Sequence, residues 1–415
     1  MLFVFFLFNL LGLVFLAKKF GYISSNFLVY FVFFIYGNSF TIDFILLGLK
    51  QINITGLGKL MIYDSSHVYI SFFYSLFSLG FIIISNFNTK ENVKLKSVYF
   101  FKKRKTSLSL LYLFFSSINF YLIANLFTLD RLEKIYFLTN NKLLTSLASL
   151  GMFGFIIVIM RRKIFPTKSI LGAIYLFSTV LFGLFEGGRE LFVYLILIFL
   201  FYKRENKLKF MRLFLILFSV YLISLWKYFS VYILLLGDTD LFFSSIKNSM
   251  VFSITYIDPH SSLLMLSKFI NNDAMFSEFY FSYFTNTLNQ FLSAIGLIDY
   301  NSIGKQIVFK FSPDIYYKGG GFAFSGILES ILNFGFAGPL LLGMLLSHLC
   351  NLINSFMFRD EFRFKLFSIF FIILSMKIVR TELAVVIKLY LLPMLVSYLI
   401  FFKYFVNRKS IRKQI

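Results

Sequence analysis

Apolar runs long enough to cross a bilayer recur along this chain, and short clusters of lysine and arginine separate them. A hydrocarbon core about 30 Å thick needs about 20 apolar residues of helix to span it. Within that core every backbone N–H and C=O must be satisfied internally, so a chain built from such runs is committed to transmembrane helices. Runs at residues 2–17, 22–48, 67–86, 107–128, 143–160, 169–185, 190–202, 213–236, 335–357, 366–386 and 389–402 predict about eleven of them, several short for a full crossing. The expected fold class is therefore an all-α polytopic membrane protein. The first run has no basic residue before it and Lys18 and Lys19 after it, which reads as a retained span rather than a cleaved leader.

Composition supports the same reading and removes others. Of 415 residues 59% are hydrophobic and only 14% charged, a balance no soluble domain carries. The net charge of +22 does not imply nucleic acid, because the basic residues lie in short clusters with no hydrophilic domain to hold a duplex. A single cysteine, Cys350, excludes a disulfide framework and a thiolate metal site. The three histidines, His67, His260 and His348, show no metal-ligand spacing, and Asp238-Thr239-Asp240 fits an Asp-x-Asp metal pattern only in isolation. No metal and no cofactor is expected.

The basic clusters set the orientation. With the N-terminus outside, those at 18–19, 90–105, 161–168, 203–212, 359–365 and 403–413 all fall inside, about 26 of the 41 lysines and arginines. The C-terminus is then cytoplasmic. Three regions follow: an N-terminal bundle of about eight helices at 1–236, an extracytoplasmic loop at 237–334, and C-terminal spans with a basic tail at 335–415. Within the loop, residues 274–298 mix aromatics with Ser, Thr, Asn and Gln, as helices lying in the interface do; a weak or re-entrant span is the alternative.

Polar groups gather at the outer ends of the spans. Glu186, Gly187, Gly188, Arg189 and Glu190 sit between two apolar runs, with spacing that allows the three charges to share a helical face. A solvated turn is the structural alternative. Residues 312–338 read SPDIYYKGGGFAFSGILESILNFGFAG: Pro313 and Gly319 to Gly321 make a bend, and residues 322–333 a short helix. Glycines before a helix start, with Lys318 beside them, suit an anionic ligand. Glu329 lies inside that helix among apolar and small residues, either a satisfied structural acid or an acid or base facing a cleft. Arg380 lies where the next-to-last span reaches the outside, and either meets a ligand or pairs with a carboxylate such as Glu382.

No nucleotide signature is present, so a reaction on the outer face needs a substrate that carries its own activation. A lipid diphosphate does, and Arg189 with Arg380 would suit it, since guanidinium forks bind phosphate oxygens bidentately. An acceptor hydroxyl needs a base within hydrogen-bond reach, and the candidates are Glu186, Glu190, Glu329, Asp314 and the Asp258-Pro259-His260 turn.

Together, Glu-Gly-Gly-Arg-Glu between central spans, a long late external loop, the segment GGGFAFSGILESILNFGFAGPLLLG and Arg380 resemble the oligosaccharide repeat unit polymerases, the O-antigen polymerases or Wzy proteins. The resemblance implies a GT-C-like glycosyltransferase of the bacterial inner membrane, metal-independent and acting on the periplasmic face. Its substrates would be undecaprenyl-diphosphate-linked oligosaccharides in the membrane lipid, with a chain-length regulator and a flippase as partners. It further implies that Arg189 and Arg380 bind diphosphate or sugar acid groups, that Gly320 and Gly321 shape the loop, and that Glu329 sits at the acceptor. The arginine-rich external loops of some members are not matched: the loop here has Lys247, Lys268, Lys305, Lys310 and Lys318 and no arginine. The related O-antigen ligase and a flippase for the lipid-linked unit are the alternatives. A flippase would spread its charges through many spans, whereas here they concentrate at outer ends.

Overall fold

The computed structural model describes residues 1–21, 24–54, 58–87, 105–127, 129, 131–160, 170–185, 194–198, 239–240, 259–271, 285–286, 288–289, 292, 297–298, 303–311, 313, 325–356 and 361–402. The elements begin with α1 (Leu2–Phe20), α2 (Ser25–Leu47), a hairpin of β1 (Gln51–Ile54) and β2 (Gly58–Met61), and α3 (Ser65–Asn86). They continue with α4 (Lys105–Leu126), α5 (Arg131–Asn140), α6 (Lys142–Met160), α7 (Ile170–Phe185), α8 (Pro259–Ile270) and α9 (Ile303–Phe311). The last are α10 (Gly326–Phe334), a 3-10 turn (Gly335–Ala337), α11 (Gly338–Phe356), α12 (Glu361–Ile378), α13 (Leu383–Val386), a π turn (Ile387–Leu391) and α14 (Leu392–Phe402).

Among the described residues six helical stretches are long and apolar enough to cross a membrane: 2–20, 25–46, 65–86, 108–126, 143–160 and 326–353. Two shorter apolar stretches, 170–185 and 387–401, accompany them. This is a helical, multi-pass membrane protein. Of the remaining expected spans, 213–236 lies outside the described residues, and 190–202 is described, as helix, only at 194–198.

Two boundaries differ from the hydropathy reading. The short helix expected at 322–333 is described from Gly326, where the Ser325 hydroxyl accepts from the Leu328 N–H at 3.2 Å and so caps the helix start. The span expected at 366–386 stops at Ile378. A turn through Val379, Arg380 and Thr381 follows, closed by the Arg380 N–H donating to the Lys377 carbonyl at 3.0 Å. Window-averaged hydropathy smooths over this break because Ile378, Val379 and the Leu383–Val386 helix are as apolar as the span. Further on, Pro393 has no N–H to continue the i→i−4 ladder, and the wide π turn falls just before it.

The chain forms two compact units. The first comprises residues 1–91, 224–355 and 371–388. In it α1, α2 and α3 pack side by side, with the Tyr30 hydroxyl donating to the Asn9 carbonyl at 2.9 Å and Phe33 stacked on Phe77 at 4.2 Å. The α2 helix starts at a Ser24 cap and ends at Gly48, whose φ of 69° only glycine adopts cheaply. Helices α3 and α11 approach so closely that a Cβ on Gly80 would stand 2.2 Å from the Leu340 carbonyl oxygen. The Ser85 and Ser347 hydroxyls, 2.8 Å apart, join the same pair, the small-residue and hydroxyl packing usual between membrane helices. The hairpin turns Ile52 and Leu60 to one buried face, opposite one another in register. Helix α8 packs against α2, α3 and the hairpin through buried Leu263, Leu264, Met265 and Leu266, and Ser267 donates to Ser66 at 3.0 Å.

The second unit comprises residues 92–223, 356–370 and 389–415. Here α4 packs along α7, and α14 along α6. Tyr112 stacks on Tyr175 at 5.1 Å, the Tyr175 hydroxyl donates to the Gly151 carbonyl, and Ser397 donates to the Leu150 carbonyl at 2.8 Å.

Candidate functional site

Within the first unit, one nine-residue helix carries a carboxylate into the protein interior. All of α10 from Gly326 to Asn333 is buried. Glu329 is 1% exposed and occupies the first turn of α10, where the free N–H groups of the helix start favour negative charge. Its Oε2 accepts from the Leu383 N–H at 2.7 Å. Its Oε1 is buried and meets no donor among the described residues. An ionised carboxylate held out of water costs roughly several kcal/mol unless both its oxygens find donors.

The sequence after Glu329 explains how the helix is held. The Asn333 side chain donates back to the Glu329 carbonyl at 2.7 Å. Gly335 then ends the helix with φ 58°, a conformation that a side chain would strain. At Gly338 a Cβ would lie 2.0 Å from the Ser330 carbonyl oxygen, so α11 can start against the flank of α10 only because that position is glycine. The Asn-Phe-Gly-x-x-Gly run is thus a tight helix-to-helix turn that fixes the carboxylate's height. On the other side, Gly326 lies against the end of α12, where a Cβ would be 2.5 Å from the Ile378 Cγ2.

A second acid stands next to the first one's donor. Glu382, 3% exposed, precedes Leu383 and turns both oxygens to groups far upstream. Its Oε2 accepts from the Asn286 side-chain amide at 3.0 Å, and its Oε1 from the Gly304 N–H at 2.5 Å. Gly304 is in the first turn of α9, so a remote carboxylate satisfies one of the N–H groups that a helix start leaves open. Asn286 is fully buried. Arg380, half-buried, lies in the turn that leads to Glu382, and the buried Lys377 closes α12 below it. The break between α12 and α13 therefore gathers Glu329, Glu382, Asn286 and the start of α9, with Arg380 two residues away in sequence.

Of the residues singled out from sequence, Glu329 and Arg380 are described, and both belong to this region. His260 falls in the first turn of α8. Glu186, Arg189, Glu190, Lys318, Gly320, Gly321, Asp258 and Asp314 lie outside the described residues. Asp240 is exposed. From sequence, Glu382 reads only as a partner for Arg380, Asn286 only as part of the interfacial stretch 274–298, and Gly304 carries no reading of its own. Glu382 carries a visible signal, an acid inside the apolar C-terminal hairpin; its two donors carry none, since one is an ordinary side-chain amide and the other a backbone N–H at a helix start.

Arranged in this way, the residues provide a dry, oriented carboxylate with one oxygen able to take a proton or accept a hydrogen bond, held by the Leu383 N–H three residues after Arg380 in sequence. No family model, no curated protein and no solved structure matches this chain.

Proposed function

We propose that the chain polymerises lipid-linked oligosaccharide repeat units, transferring the growing glycan from undecaprenyl diphosphate to the next lipid-linked unit on the periplasmic face of the bacterial inner membrane. The observation that carries this reading is Glu329: buried, fixed by the Leu383 N–H at 2.7 Å, and left with an unmatched oxygen on the motif from which the resemblance to the O-antigen polymerases was drawn. The placement of Arg380 on the adjoining turn supports it as well. Arg189 enters from sequence alone.

In this reading the acceptor sugar's hydroxyl attacks the anomeric carbon of the donor. A new C–O bond forms to the acceptor as the C–O bond to the diphosphate breaks, and the configuration inverts. The hydroxyl proton passes to Glu329, a general-base step of a kind that contributes about 10²–10⁴-fold. Arg189 and Arg380 would hold the departing diphosphate and offset the charge it gains as the bond breaks. The transition state resembles that of glycoside hydrolysis, with a sugar in place of water as nucleophile. No cofactor takes part.

The test is Glu329→Gln, which keeps an oxygen for the Leu383 N–H and removes the base. Long chains are expected to vanish from the cell surface while single repeat units still arrive, with the protein present at parental levels. A normal ladder of chain lengths in that variant overturns the assignment. Free polymer without any single-unit form would point instead to the ligase, and repeat units trapped on the cytoplasmic side to a flippase.

A further inference from the structure

We propose that Glu382 is a positioning residue: a latch that docks two loop segments and, through its neighbour's N–H, orients Glu329. The proposal rests on the polymerase reading only for its activity readout. One dipeptide step, Glu382–Leu383, holds three separate pieces of the chain. Glu382 Oε1 accepts from the Gly304 N–H at 2.5 Å and Oε2 from the Asn286 amide at 3.0 Å, while the Leu383 N–H donates to Glu329 Oε2 at 2.7 Å. The donors lie 78 and 96 residues upstream, so the latch closes long stretches of chain.

The docked helix is amphipathic. Ile303, Ile307 and Val308 of α9 are buried, and Lys305, Phe309 and Lys310 are exposed. Its apolar face supplies adhesion without direction, since apolar contact is non-directional. The two charge-assisted hydrogen bonds supply the register, because each donor must meet one particular oxygen. Removing the Glu382 carboxylate leaves a backbone N–H and a buried amide without their acceptor, which drives both segments toward water. Undocking of that kind frees the Glu382–Leu383 turn and with it the donor that fixes Glu329.

The chain's single cysteine makes the test clean, because Cys350 is fully buried. Ile307→Cys places a second thiol on the buried face of α9, and the purified full chain in lipid nanodiscs is treated with a maleimide. With Glu382 present the introduced thiol reacts slowly. Glu382→Ala is expected to raise its labelling rate about tenfold or more, and Asn286→Ala by less, since the bond from the Gly304 N–H remains. Glu382→Gln is expected to stay within about twofold of the parent: an amide oxygen still accepts from Gly304, and the Asn286 amide can turn its own oxygen to the new NH₂. Equal labelling with and without the Glu382 carboxylate overturns the latch. In polymerisation assays with lipid-linked repeat units, Glu382→Ala is expected to lower kcat about tenfold with KM within about threefold, because a misplaced base is missed in the transition state; Glu382→Gln is expected to restore kcat, and Glu329→Gln to lower it further. Faster labelling with an unchanged kcat overturns the positioning role in the reaction. Faster labelling, together with a parent chain that does not polymerise the units, leaves the latch standing and removes the polymerase reading, whereas an active Glu329→Gln overturns the orienting of a base. If Glu382→Ala fails to accumulate, Asn286→Ala carries the same comparison.

Discussion

The two units each bury polar groups between helices, but of different kinds. Among the described residues of the second unit the buried polar set is neutral. Asn119 donates to Thr179 at 3.1 Å and Ser178 at 3.4 Å, Ser116 and Thr179 donate to tyrosine carbonyls one turn back, and the Tyr175 hydroxyl reaches the Gly151 carbonyl. Such groups fix which helix faces which, and leaving one amide oxygen unmatched, as at Asn119, costs about 1–3 kcal/mol. The first unit contains comparable neutral pairs, such as Ser85 with Ser347, and in addition buried carboxyls: Asp43 on α2, Glu329 on α10 and Glu382 just before α13. Helix packing explains the neutral set completely. It does not explain Glu329, because a glutamine there would satisfy Leu383 equally well without a charge to desolvate. A group that stability would discard is the one to suspect of chemistry.

The comparison breaks most sharply if Glu329 behaves like Asn119. Glu329→Gln is expected to lower polymerisation by about 10²-fold or more while thermal stability is unchanged or raised. Chain-length ladders and a melting curve on the same preparation check both halves. A destabilised but active variant would move Glu329 into the packing class.

Next in size is Gly338→Val. The added side chain meets the Ser330 carbonyl at a distance no Cβ tolerates, and the neighbour is backbone, which cannot swing aside. Forced overpacking costs about 1–3 kcal/mol, and here it also lifts α10 away from α11. Activity and stability are both expected to fall, which distinguishes a scaffold glycine from Glu329. Retained activity at a lowered melting point would show that the helix-to-helix turn does not set the carboxylate's place.

Much of this was legible in the sequence, and the rest was not for definite reasons. Spans such as 67–86 and 143–160, which the helices Ser65–Asn86 and Lys142–Met160 cover, stand out because one property, hydropathy over about 20 residues, decides them. Glu329 stands out as a lone acid in an apolar and small-residue stretch. The turn at 379–381 does not, because a window centred there still averages as a span; the hairpin at 51–61 does not, because eight short-strand residues carry too little pattern. The partners of Glu382 are hidden for a deeper reason: Asn286 and Gly304 meet it only through tertiary closure across 96 and 78 residues, and a backbone N–H has no letter in a sequence.

A smaller effect is expected at Tyr175→Phe, which removes the hydroxyl bonded to Gly151 but leaves the ring stacked on Tyr112. The loss is about 1 kcal/mol, the net worth of one hydrogen bond, with polymerisation unaffected. Altered chain lengths in this variant would mean that the neutral set of the second unit also serves the reaction, and would erase the contrast between the units.

The smallest effect lies in a coupling. Asn119 on α4 and Thr179 on α7 share a hydrogen bond at 3.1 Å, so Asn119→Ala, Thr179→Ala and the double variant form a cycle that isolates it. Polar pairs between membrane helices average about 0.6 kcal/mol by such cycles, because the separated helices also find partners. A value near that figure makes the pair glue and no more. Thr179 also donates to the Tyr175 carbonyl at 2.8 Å, so its single variant loses two bonds, and only the cycle subtracts the second. A coupling near zero would mean that helix packing alone, through stacked Tyr112 and Tyr175, sets the α4–α7 register, and the neutral polar groups of this unit would then be tolerated rather than used.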